Sequence, residues 1–240
     1  MICVDGRIRI PDIVCMTDER MSGIALIAGS IASIITMALH PTGHQVLTPG
    51  SSKAILQLAV AVHALALLSL PVLFAGAAGL SKYLARAGRL AFAALTFYGF
   101  ATVAVMNAAV FSGFVATGVA HRILEGGSLA SDPWQTLFRY TGDLNQGFAL
   151  VFVVASSVAI LLWSIALLRG GFAQRASALY GCFIASVTML AVLSGHIRLN
   201  VHGFGAIILA QSVWFVWMGI HLLRTGQAAS SYSTVKATSA

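Results

Sequence analysis

Residues 54–80 read AILQLAVAVHALALLSLPVLFAGAAGL, a run without a single Asp, Glu, Lys or Arg. A helix of about 20 apolar residues crosses the hydrocarbon core of a bilayer, so this run is long enough to span it. It is too long and too uniformly apolar for a strand of a transmembrane barrel, which alternates over about ten residues. A helix also pairs every backbone polar group within its own segment, which lipid demands.

The same pattern recurs along the chain. Working outward from 54–80, the sequence predicts spans over about 22–39, 90–120, 146–168, 176–195 and 201–223. The composition agrees. The chain is 58% hydrophobic and 9% charged, whereas a soluble domain carries roughly a quarter charged residues. The expected fold is therefore all-α: a polytopic integral membrane protein, one bundle of six transmembrane helices over 22–224. A polar tail, 1–21, precedes it. A small, polar and disordered tail, 225–240, follows it.

Lysine and arginine set the direction. Ten of the 14 basic residues fall in the two tails and in the second and fourth loops (Arg7, Arg9, Arg20, Lys82, Arg86, Arg89, Arg169, Arg175, Arg224, Lys236). Lys53, Arg122, Arg139 and Arg198 fall on the other side. The positive-inside rule then places both termini in the cytoplasm and the chain in a cell (inner) membrane. The net charge of +7 arises from these scattered topology signals, so no nucleic-acid partner is expected. The lipid bilayer is the expected partner. Cys3, Cys15 and Cys182 fall on the inner side or in the inner half of a span, where a structural disulfide is not expected.

Four of the five loops are short, which makes consecutive helices antiparallel neighbours. The third loop, about 121–145, is longer. Ser131-Asp132-Pro133 is a good helix start, and Trp134, Leu137, Phe138 and Thr141 share one face behind it. A short amphipathic helix lying at the outer surface is expected there.

The candidate site follows from the histidines. In this frame His40, His44, His63, His121, His196 and His202 lie in or near the outer leaflet, and only His221 lies inside. His63 stands about nine residues into span 2, roughly 13 Å of helix rise from its outer end. An ionisable side chain at that depth tends to face the protein interior. Asn107, near the middle of span 3, needs a hydrogen-bond partner. Gly29, Ser33, Thr36 and His40 share one face of span 1, which suits either close helix packing or a path toward His40. In span 6, Gln211 and His202 point in nearly opposite directions, so one pocket is not expected to use both. The turn between spans 5 and 6 adds His196 and Arg198; the guanidinium suits an anionic group.

These residues admit three readings. The first, non-enzymatic, is an outward-facing polar pocket serving small-molecule or proton-coupled transport or ligand sensing. His63 and Asn107 would lie inside it and His40, His121, His196, Arg198 and His202 around its mouth. The second is a haem- or metal-binding protein of the outer leaflet, for electron transfer or metal-dependent catalysis. A haem would take two facing histidines; a transition metal would draw ligands from His40, His44, His63, His121, His196 and His202. Metal-type CxxC, CxxCH and HExxH motifs do not occur. The third is a structural or assembly factor of a membrane complex, its polar residues only stitching helices together. A serine-hydrolase reading has no supporting GxSxG motif.

Overall fold

A computed structural model describes residues 18–42, 53–85, 88–125, 131–168 and 171–238, with backbone only for 131–132, 172–173 and 227–238. Cys3, Cys15 and His44 lie outside the described residues. Every regular element among the described residues is helical, and six helices are long and apolar enough to cross a membrane. They are α1 (Asp18–Ala38), α2 (Lys53–Tyr83), α3 (Arg89–Glu125), α4 (Ser131–Leu167), α5 (Phe172–Leu193) and α6 (Val201–Thr238). Each covers one expected span to within two residues. Their outward faces carry large apolar side chains, among them Leu68, Phe92, Phe100, Phe183 and Leu190. Serines and threonines are buried instead, as expected where lipid is the solvent.

Two helices depart from the expected boundaries. Among the described residues the third loop has no separate interfacial helix: residues 131–145 are the first turns of α4, continuous with span 4. The segment has no proline after Pro133 and a single glycine, Gly142, too little to stop a helix. Thr141 is buried and donates its hydroxyl to the Leu137 carbonyl at 2.8 Å, so this region packs into the bundle. At 37 residues α4 is about 55 Å long, well beyond the hydrocarbon thickness. In α6 helical backbone continues to Thr238, past the expected end of span 6 and through most of the tail read as disordered.

The helices form a closed circuit. The pairs α1–α2, α2–α3, α3–α4 and α4–α5 pack in sequence order, and α6 returns to pack along α1. Small residues bring α1 close to both neighbours. A Cβ on Gly29 would lie 2.7 Å from the Leu73 Cβ of α2, and one on Gly23 would lie 2.6 Å from the Gly219 carbonyl of α6. α4 and α6 meet through side chains, the stacked rings of Trp163 and Trp214 at 6.0 Å and the bond from Gln211 to Ser156. α5 lies against the outside of that seam. There the Trp214 indole N–H donates to the Ser177 carbonyl at 3.1 Å. The aromatic cluster Tyr98, Trp163, Trp214 and Phe215 fills the half of the bundle nearer the termini. Above it, toward the opposite face, the circuit encloses a cavity.

Candidate functional site

The cavity has a volume of about 450 Å³, within the range of small-molecule sites. Its floor is Leu73, Tyr98 and Phe215, and its walls include Leu70, Val105, Phe152, Phe204 and Ile208. Its mouth, at the face opposite the termini, is bordered by Thr42, Phe138, Asn200 and His202. α1 contributes Ser33, Thr36, Met37 and His40, so the small polar face of span 1 does both things read from it. Its glycine packs on α2, and the rest lines the cavity.

The central feature is a contact between His40, just past the end of α1, and His63 of α2. Their Nε2 atoms stand 3.1 Å apart. Each ring is fixed from its other side. His63 Nδ1 is 2.6 Å from the Ala59 carbonyl oxygen, and His40 Nδ1 is 2.8 Å from the Pro41 carbonyl oxygen. A carbonyl can only accept, so both Nδ1 atoms carry the hydrogen. In the neutral rings both Nε2 atoms then carry a lone pair, and two acceptors face one another. The rings do not meet head-on. Their centroids are 4.7 Å apart with the planes at 68°, closer than a collinear pair would be. Burial outweighs the Pro41 carbonyl and lowers the pKa of His40 below its ordinary 6.5.

A break in α3 seats His63. The helix is regular over Arg89–Val110, widens to a π turn over Phe111–Val115, and resumes over Ala116–Glu125. The π turn sets Gly113 directly against His63: a Cβ there would fall 2.2 Å from the His63 Cβ and 2.4 Å from its Cγ. Thr117 donates to the Gly113 carbonyl and supports the widened turn. Such turns concentrate at functional sites. The sequence reading missed this element; the Ser112-Gly113 pair, with a Thr one turn on, is the available signal.

The other polar groups of the cavity are mostly committed. Ser33 and Ser69 donate to carbonyls of their own helices, and Gln211 donates to Ser156 at 2.9 Å. Gln146 donates to the Leu199 carbonyl at 3.0 Å across the mouth. Thr36 is a buried exception. It is 6% exposed, and its Oγ1 has no hydrogen-bond partner.

The expected site residues separate into two groups. His40, His63 and His202 line the cavity. Asn107, His121, His196 and Arg198 do not. The Asn107 amide returns to the Val103 carbonyl of its own helix at 2.8 Å. His121 pairs with Glu125 at 3.0 Å on the surface, and exposed His196 contacts the Ser194 hydroxyl at 2.8 Å. Arg198 is exposed on the turn, where Gly195 (φ 75°) ends α5 and the Asn200 side chain caps α6 at Gly203. Gln211 and His202, expected to exclude each other, line the same cavity. Helix phase fails as a guide there because the mouth wraps around the first residues of α6 rather than following one face. Ser112, Asn145, Gln146 and Asn200 join the lining without having been singled out.

His221, on the opposite face, belongs to a separate clasp. Gln174 Nε2 donates to the Tyr83 hydroxyl at 3.0 Å and to His221 Nε2 at 3.1 Å, linking α5 to α2 and α6. Among the described residues no group of three or more His, Cys, Asp or Glu side chains is placed to hold a metal ion.

The architecture is an all-helical bundle, with six helices long and apolar enough to cross a membrane, around an internal cavity. Compared with protein-family models, curated proteins and solved structures, the chain matches none.

Proposed function

We propose that this protein binds a small, largely apolar molecule in the cavity, for transport coupled to proton movement through His40 and His63, or for sensing. The contact of two imidazoles in the wall of an apolar chamber carries this reading. Their Nδ1 hydrogens are spent on carbonyls, so the pair has only acceptors left, and both residues line the cavity. The fitting ligand has an apolar body that fills the aromatic end and a hydrogen-bond donor that reaches the pair. The bias of ten basic residues against four supports cytoplasmic termini in a cell membrane, which puts the mouth on the outer face.

The test is thermal denaturation of detergent-purified protein against phenols, aliphatic alcohols and primary amines of graded size. A binder at 100 times its Kd stabilises by about 2.7 kcal/mol, which raises Tm by about 5–10 °C. The shift should vanish in His40→Gln and His63→Gln. A panel without a binder, or shifts equal in both variants and the parent, would refute the reading.

A further inference from the structure

We propose that His40 and His63 form a two-imidazole site for a divalent transition-metal ion, its remaining coordination positions open to the cavity. The inference goes beyond the small-molecule pocket and rests on the geometry of the pair alone. A histidine that binds a metal through one ring nitrogen commonly donates its other N–H to a carbonyl or carboxylate, which fixes the tautomer and aims the lone pair. Both rings have that arrangement, through Ala59 and Pro41. Two metal–nitrogen bonds of about 2.0–2.1 Å meeting at a tetrahedral angle place the nitrogens about 3.3 Å apart. The observed separation is 3.1 Å.

The angle between the rings also decides which metal chemistry fits. A bis-histidine haem, or a linear two-coordinate ion, holds its nitrogens in line and about 4 Å apart. The rings are closer than that, with centroids 4.7 Å apart and planes at 68°. That spacing suits neighbouring positions on a tetrahedral ion, for which imidazole is an ordinary ligand. In the same cavity wall, the buried Thr36 Oγ1 also lacks a partner. With two imidazoles from the protein, the remaining positions are left to water or a bound molecule, unlike a closed structural site with four protein ligands.

Cobalt(II) tests this, because tetrahedral coordination gives it a strong visible absorption. Untagged, chelator-treated full-length protein in detergent should develop that absorption to one equivalent of Co²⁺. His40→Ala and His63→Ala, each shown folded by helical circular dichroism and gel filtration, should each lose it. A second measurement needs no variant. One equivalent of Zn²⁺ should slow diethyl pyrocarbonate modification of His40, read by peptide mass spectrometry, at least fivefold while leaving exposed His196 unchanged. Absorption that survives both substitutions overturns the site. So does equal protection of His40 and His196, or no protection at all. The ligand panel is run with chelator present, so either proposal can fail without the other.

Discussion

Gly113→Ala tests the seat of His63 with the smallest perturbation the site allows. The added Cβ would stand 2.2 Å from the His63 Cβ. Ordinary contacts begin near 3.4 Å, so the two atoms must separate by about 1.2 Å. A side-chain rotation cannot supply this, because a Cβ moves only with its backbone. α2 and α3 must part locally, and overpacking of this kind costs about 1–3 kcal/mol. For a chain of this size that lowers Tm by about 2–12 °C. His63 is carried along, so its Nε2 leaves the 3.1 Å contact with His40 and the His40 ring becomes more accessible. The assay pairs a thermal melt with the rate of His40 modification by diethyl pyrocarbonate, and both should change together. Gly118→Ala is the control one helical segment away, since a Cβ there meets nothing within 4 Å. Alanine is the better helix former, so this variant should be neutral or up to about 1 kcal/mol more stable. Equal melting of Gly113→Ala and the parent, with unchanged His40 reactivity, would refute the packing of the π turn on His63.

Two other outcomes follow from the same structure. In Gly181→Ala a Cβ would lie 2.1 Å from Ser164 Oγ and 2.4 Å from Trp214 Nε1; α5 should be pushed off its seam at a cost of about 1–3 kcal/mol, with a changed tryptophan emission spectrum, and an unaltered spectrum and Tm would exclude that seating. Stability should also fall with acidification in chelator-treated protein: the folded-state pKa of His40 is lowered by burial, so the unfolded chain takes up the proton first as the pH drops through about 6.5, and a Tm that rises from pH 7.5 to 5.5, or that falls as steeply in His40→Gln, would contradict it.

The helices were legible in the sequence because lipid imposes a simple rule, a long apolar run wherever the chain crosses. Residues 54–80 stated it plainly, and α2 follows them to within a few residues at each end. The third loop was harder. Polarity after residue 121 reads as a loop, yet polar residues extend helices readily where no proline intervenes, and α4 begins at Ser131. The depth of His63 also pointed correctly inward. Its partner was not legible. Five other histidines shared the outer level, and choosing among them depends on which helix ends meet in space. Asn107 misled for a related reason: its amide reaches a carbonyl one turn back on its own helix, so depth in the membrane did not imply a partner across the bundle.

The two histidine clusters differ in how their donors and acceptors are matched. At the termini face His221 meets a donor, Gln174 Nε2, and the Tyr83 hydroxyl, which can donate or accept. Donors and acceptors there match with no help from outside, as a contact that only joins helices requires. His40 and His63 do the reverse. Local carbonyls take both of their N–H groups, and the two atoms left to face each other are of the same kind. A serine or threonine at either position would have tied α1 to α2 more simply. The chain instead widens α3 into a π turn and keeps a glycine at 113 to make room for the ring. Facing acceptors are stable when a cation, a proton or a ligand's donor group occupies the space between them. That requirement, more than the number of histidines, is what the proposed ligand site rests on.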